Sequence, residues 1–294
     1  MKKAILAAAL ALPIADAFAP SPLSGAMPGL RAASTRGAST VSWNMMARRP
    51  FIAGNWKMNP ETLDDAIILA KEIAKSSMTA TAQVAICAPF PYLWSVGNEF
   101  KGSNVELGAQ SIYFEDKGAY TGAVSACMVK SVGTTHVLCG HSERRTIFHN
   151  DDNSVNKKVL KVLRNGLTPM LCIGESQNEY EEGLVKAICA TQMSKDLKEV
   201  TKAEMMEITI AYEPVWAIGT GLTCAPDEAQ KGCPTVGSME RKEETADAVR
   251  ILYGGSVTGE TVDELMKRAD IDGCLVGGAS LQAASFGRIM NFNP

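Results

Sequence analysis

The sequence predicts an α/β protein whose residues 49–294 close into a (β/α)8 barrel of eight parallel strands with an outer ring of helices. Three observations carry this. Short apolar runs alternate with helical patterns from Phe51 onward, the order that builds a parallel sheet covered by helices. Eight such units over about 245 residues match the usual size of a closed barrel. No GxGxxG follows any of the runs, so an open dinucleotide-binding sheet loses its support.

The expected strands, in order, are Phe51 to Gly54, Val84 to Ala88, Val105 to Gly108, His136 to Cys139, Thr168 to Ile173, Glu207 to Tyr212, Arg250 to Tyr253 and Gly273 to Val276. The helix after the first strand shows its period clearly. Leu63, Ala66, Ile67, Ala70, Ile73 and Ala74 form one apolar stripe, with Asp64, Lys71 and Lys75 off it. Residues 231–248, before the seventh strand, break the pattern. Gly232, Pro234 and Gly237 interrupt any helix there, and few apolar residues remain to cover the barrel.

Residues 1–48 read differently. Lys2-Lys3, an apolar run from Ala4 to Ile14 and the small residues Ala15-Asp16-Ala17 make residues 1–17 a signal-peptide pattern, too short for a confident membrane span. Residues 18–48 carry Arg31, Arg36 and Arg48, many small and hydroxylated residues and no acidic one, as transit peptides do. Ala17-Phe18-Ala19-Pro20 at the junction resembles the bipartite plastid presequence of diatoms and related algae. That resemblance implies a plastid destination; secreted, mitochondrial and cytosolic locations are the alternatives.

The net charge of -3, from 29 basic and 32 acidic residues, gives no global field for nucleic acid or an anionic membrane, so neither is an expected partner. Eight scattered cysteines show no CxxC pair and no Cys/His cluster at metal spacing, which predicts reduced thiols and no metal. No P-loop or dinucleotide fingerprint is present, so no cofactor is expected.

In a barrel of this class chemistry collects just past the strands. After the first strand, Asn55 and Lys57 lie on one side of an extended segment, an amide and an ammonium at the barrel mouth. After the fourth, Ser142 or Gly140 caps a short helix and sets His141 at its positive end, which favours a neutral imidazole able to donate to a carbonyl oxygen. After the sixth, Glu213 precedes Pro214, an apolar tip and the glycines Gly219 and Gly221, the composition of a closing lid over a carboxylate. After the seventh and eighth, Gly254-Gly255-Ser256 and Gly277-Gly278 offer bare N–H groups where barrels of this class bind phosphate. The set suits proton abstraction beside a carbonyl in a small phosphorylated substrate.

GNWKMN, GHSERR, AYEPVWAIGTG, YGGS and VGGAS, in this order across residues 50–292, resemble the triosephosphate isomerase family, whose fold is the TIM barrel. The resemblance implies interconversion of dihydroxyacetone phosphate and D-glyceraldehyde 3-phosphate without a cofactor, in glycolysis, gluconeogenesis or carbon fixation. It makes Glu213 the base, His141 the neutral electrophile, and Lys57 and Asn55 the stabilisers of the enediolate. Gly219, Ser256, Gly277 and Gly278 would hold the phosphate, and Glu143 would support Lys57. The segment Gln110 to Gly122, with Thr121 near its tip, resembles the loop each subunit of a homodimer inserts beside its partner's site. Three departures stand out: Ala123 where an acidic residue is common at the dimer contact, Leu222 and Cys224 in the second hinge of the lid, and residues 231–248. The last keeps an alternative open, a non-catalytic phosphate-binding barrel impaired at that stretch.

Overall fold

The computed structural model describes residues 48–218, Gly232 and residues 249–293. Residues 1–47 of the presequence, Gly219, Leu222, Cys224 and all of 231–248 except Gly232 lie outside the described residues. Eight parallel strands close in sequence order, β1 Phe51–Asn55, β2 Gln83–Ala88, β3 Val105–Ala109, β4 His136–Cys139, β5 Thr168–Ile173, β6 Thr209–Tyr212, β7 Arg250–Tyr253 and β8 Gly273–Val276. Pairing of Phe51 through Gly54 with Gly273 through Val276 seals the cylinder.

The expected strands are present within two residues at either end. The one trimmed noticeably is β6. Glu207 and Ile208 bond back to the short helix Lys202–Met205, Glu207 N–H to Glu204 O at 3.0 Å and Ile208 N–H to Met205 O at 3.2 Å. Their donors are thus spent on closing a turn rather than on the ladder.

Helix α1, Leu63–Ser77, starts where Thr62 Oγ1 accepts the Asp65 N–H at 3.2 Å, satisfying one of the four donors a helix start leaves free. Its buried face is Ala66, Leu69, Ala70, Ile73 and Ser77. This corrects the expected stripe: Leu63 is 42% exposed and Leu69 belongs to the core. Periodicity fixes the width of a stripe; the neighbours fix its rotation. Here α1 docks against α2, Leu93–Glu99, and the last helix, Ala283–Met290, and these two set the face.

Side chains alternate across each strand with a period of two, so one set fills the barrel and the other meets the helices. Phe51, Ala53, Ala85, Cys87, Leu138, Met170, Cys172, Ala211, Leu252 and Leu275 form the interior cluster. Ile52, Val84, Ile86, Val137, Leu171, Ile173, Ile210 and Val276 belong to the outer layer with the helices. Five of the six described cysteines are buried; burial pushes the thiols of Cys139, Cys189 and Cys274 up to about 12, so they pack as small apolar groups.

At the N-terminal ends of the strands the inward positions turn polar and form a floor. Gln83 Nε2 donates to Glu106 Oε1 at 3.0 Å, Glu106 Oε2 lies 3.2 Å from His136 Nδ1, and Arg250 bonds Gln83 while its guanidinium covers the Phe51 ring at 4.8 Å. Burial lowers the His136 pKa to about 4; Glu106 opposes this and Arg250 adds to it. A folded-state pKa below the unfolded one makes the neutral ring a source of stability above about pH 6.5, lost as pH falls toward 4. Unfolding free energy should therefore drop by up to about 3 kcal/mol across that window, and His136→Gln should flatten the dependence. Urea titrations at stepped pH check this; an unchanged slope in the variant would sink it.

Candidate active site

The same parity that builds the interior carries three polar residues to the barrel mouth. Asn55 follows Ala53 on β1, Gln110 follows Gly108 just past β3, and Glu213 follows Ala211 just past β6. Glu213 is 2% exposed, and its backbone still belongs to the ladder, donating to Ile173 O at 2.8 Å. Neighbouring chain comes so close that a Cβ on Gly174 would sit 1.8 Å from the Glu213 carbonyl oxygen. Only glycine fits there.

The Glu213 carboxylate faces the start of helix α4, Ser142–Thr146, which follows α3, Ala126–Ser131, and strand β4. Oε2 accepts the Ser142 N–H at 2.9 Å; Oε1 lies 3.1 Å from His141 Nε2 and has no hydrogen bond among the described residues. The turn into this helix needs Gly140 at φ +75°, left-handed backbone that glycine adopts freely. The cap is His141 itself, a correction to the expectation of Gly140 or Ser142: its Nδ1 accepts the Glu143 N–H at 3.3 Å. A nitrogen that accepts carries no proton. The hydrogen-bond network therefore assigns the neutral ring its proton on Nε2, the atom that faces Glu213 and the cavity. Arg145 locks this corner, donating to Gly140 O at 2.8 Å, Cys172 O at 3.1 Å and the carboxylates of Asp152 and Asp196 at 2.9 and 2.5 Å.

Lys57 holds a left-handed backbone at φ +53°, and its Nζ donates to Glu143 Oε1 at 2.6 Å. Asn55 Oδ1 accepts the Lys57 N–H at 3.0 Å. A cavity of about 310 Å³ lies between these groups and the ends of β7 and β8. Asn55, Lys57, His141, Glu213, Ser256, Gly277 and Gly278 all line it, so seven of the sequence-selected residues converge on one space. Glu143 reaches it through Lys57. Thr121 is exposed and is not among the lining residues, and Gly219 lies outside the described residues.

Two groups went unnoticed in the sequence. Gln110 donates from Nε2 to Lys57 O at 2.6 Å. Glu175, fully buried, accepts from Tyr212 Oη at 3.1 Å and Trp216 Nε1 at 2.9 Å, while Val215 N–H donates to its carbonyl at 3.1 Å. Burial raises the Glu175 pKa against these donors. It thereby holds the Pro214–Ile218 segment that leaves Glu213, with Tyr180 packed on Trp216 at 4.4 Å. The signal for it was Gly174-Glu175 directly after β5, but nothing local announces a partner 41 residues away.

A carboxylate and a neutral Nε2–H side by side, an ammonium opposite and glycine N–H groups at the rim can move a proton next to a carbonyl and hold the charge that develops. Among the described residues no group of His, Cys, Asp and Glu is arranged to hold a metal ion. Gly174→Ala should displace Glu213 by forcing two backbones apart. We expect a loss of about 1–3 kcal/mol in stability and of roughly 10²-fold in turnover. Melting curves and initial rates check both; wild-type turnover in that variant would mean Glu213 is not held by this contact.

Known proteins resemble this chain over most of its length. Residues 50–293 match the family model for triosephosphate isomerase. The chain is 46% identical over 246 residues to the triosephosphate isomerase of Carboxydothermus hydrogenoformans, covering 83% of this chain and 98% of that protein. It is 46% identical over 249 residues to that of a Thermoanaerobacter species, covering 83% and 100%, and 45% identical over 254 residues to that of Endomicrobium trichonymphae, covering 84% and 99%.

Proposed function

The chain belongs to the triosephosphate isomerase family, and from that premise we propose which groups carry each step of its reaction. It interconverts dihydroxyacetone phosphate and D-glyceraldehyde 3-phosphate through an enediolate and needs no cofactor. Glu213 takes the proton from the carbon beside the carbonyl and returns it to the neighbouring carbon. His141 donates from Nε2 to the carbonyl oxygen as charge builds there and recovers a proton from the adjacent hydroxyl, so the two oxygens exchange roles. Lys57, seated by Asn55 and braced by Glu143, meets the negative charge of the enediolate. Ser256 and the N–H groups at Gly277 and Gly278 take the phosphate, with Gly219 joining from the lid.

The observation that carries this reading is the 3.1 Å approach of Glu213 Oε1 to His141 Nε2 at the wall of a cavity that also holds Lys57. General acid or base groups contribute about 10²- to 10⁴-fold each, and charge stabilisation in a dry site often as much. Glu213→Gln should therefore lower kcat by at least about 10³-fold with KM nearly unchanged. Steady-state rates in both directions test this. A variant that keeps wild-type kcat removes Glu213 as the base; a folded wild type with no turnover returns the chain to the phosphate-binding alternative.

We further propose a homodimer in which the Gln110 to Gly122 loop, carrying Thr121, seats beside the partner's site. Large apolar side chains left exposed on one chain support it: Met58 at 93%, Phe148 at 57% and Tyr120 at 43%. Sedimentation equilibrium of the purified barrel should return twice the chain mass. The composition of residues 1–48 supports cleavage of a signal peptide followed by a transit peptide and delivery to a plastid. A fluorescent fusion to that segment should accumulate in the plastid, and a secreted fusion would refute the assignment.

A further inference from the structure

We propose that Gln110 is a positioning residue for Lys57, acting on the reaction by holding the lysine backbone in its left-handed conformation. The inference rests on the reading of Lys57 as the ammonium that meets the enediolate.

A non-glycine residue stays in the left-handed region only where its surroundings over-determine it. At Lys57 two carboxamides do so, one on each side of the Cα. Asn55 Oδ1 accepts the Lys57 N–H at 3.0 Å, and Gln110 Nε2 donates to the Lys57 carbonyl oxygen at 2.6 Å. The same Gln110 nitrogen lies 3.1 Å from the carbonyl oxygen of Cys87, the penultimate residue of β2, and 3.4 Å from Asn55 Oδ1. One amide group thus ties the Lys57 peptide to β2 and to the side chain that grips its other end.

The consequence runs along the side chain. Fixing φ and ψ fixes the Cα–Cβ direction, which brings Nζ into the cavity and within 2.6 Å of Glu143 Oε1. Glu143 holds the tip of the lysine; Gln110 and Asn55 hold its base. Gln110 itself reaches the mouth because it continues the inward parity of Glu106 and Gly108 on β3. A carbonyl oxygen needs a donor, so neither a carboxylate nor an apolar side chain of the same length replaces this contact.

That requirement separates positioning from space-filling. Gln110→Glu keeps the shape and turns the donor into an acceptor; Gln110→Met keeps the length and removes both. Each is compared in the full chain and in a Lys57→Met background, with kcat and KM for glyceraldehyde 3-phosphate and near-ultraviolet circular dichroism as readouts. We expect both to lose about 10²-fold in kcat/KM with the native spectrum retained, and to add nothing further when Lys57 is already gone. Gln110→Asn, whose donor falls one methylene short, carries the same comparison if Gln110→Met does not fold. Wild-type kcat/KM in Gln110→Glu overturns the proposal, as does an equal loss in both backgrounds. Lys57→Met with full turnover would instead defeat the reading of Lys57 itself, visible in a variant where Gln110 is intact.

Discussion

Closure of a parallel sheet on itself imposes one constraint from which the rest follows: every second side chain must enter a space that holds little else. Along β6 the inward sequence is Thr209, Ala211 and then Glu213; along β1 it is Phe51, Ala53 and Asn55. On β6 the layering is polar at the floor, apolar in the middle and polar again at the mouth; on β1 Phe51 stands at the floor under the Arg250 guanidinium, and only the mouth is polar. The apolar middle is what keeps the cylinder packed, and the last inward position of a strand is where a functional group arrives with its backbone still held by the ladder.

Charge at the mouth is managed mainly by the chain's own peptide groups. The start of α4 directs the Ser142 N–H to Glu213 Oε2 and the Glu143 N–H to His141 Nδ1. One short turn thereby anchors the Glu213 carboxyl and leaves Nε2, the imidazole nitrogen that faces it, to carry the proton of the neutral ring. Side-chain charges appear at second remove. Glu143 braces Lys57, and Arg145 fastens the turn to the β5 end through Cys172 O and to Asp196. A carboxyl and an imidazole held by backbone donors have little freedom to reorganise, which is the property electrostatic stabilisation needs.

Much of this was legible in the sequence because it is local. Strand order and lengths follow from apolar runs and their separators, and the catalytic candidates sit at fixed offsets past strand ends. What local pattern could not supply was rotation and reach. Periodicity alone starts the α1 stripe at Leu63, whereas packing against α2 and the last helix places Leu69 inside. The cap of α4 proved to be His141, since an imidazole nitrogen takes the part usually given to a short polar side chain. Gln110 and Glu175 carry no local signal of these contacts because their partners, Lys57 and Trp216, lie 53 and 41 residues away and only the closed barrel brings them together.

The floor and the mouth are separated by a plug of Phe51, Ala53, Ala85, Leu138, Met170 and their neighbours. That plug keeps the hydrogen-bonded floor out of contact with the mouth of the same cylinder. Acid that reaches His136 acts on how stable the fold is, through a group that lines no part of the cavity at the mouth. Tolerance of acid can therefore drift, or be rewritten, among Gln83, Glu106, His136 and Arg250 while the chemistry at the opposite end stays as it is.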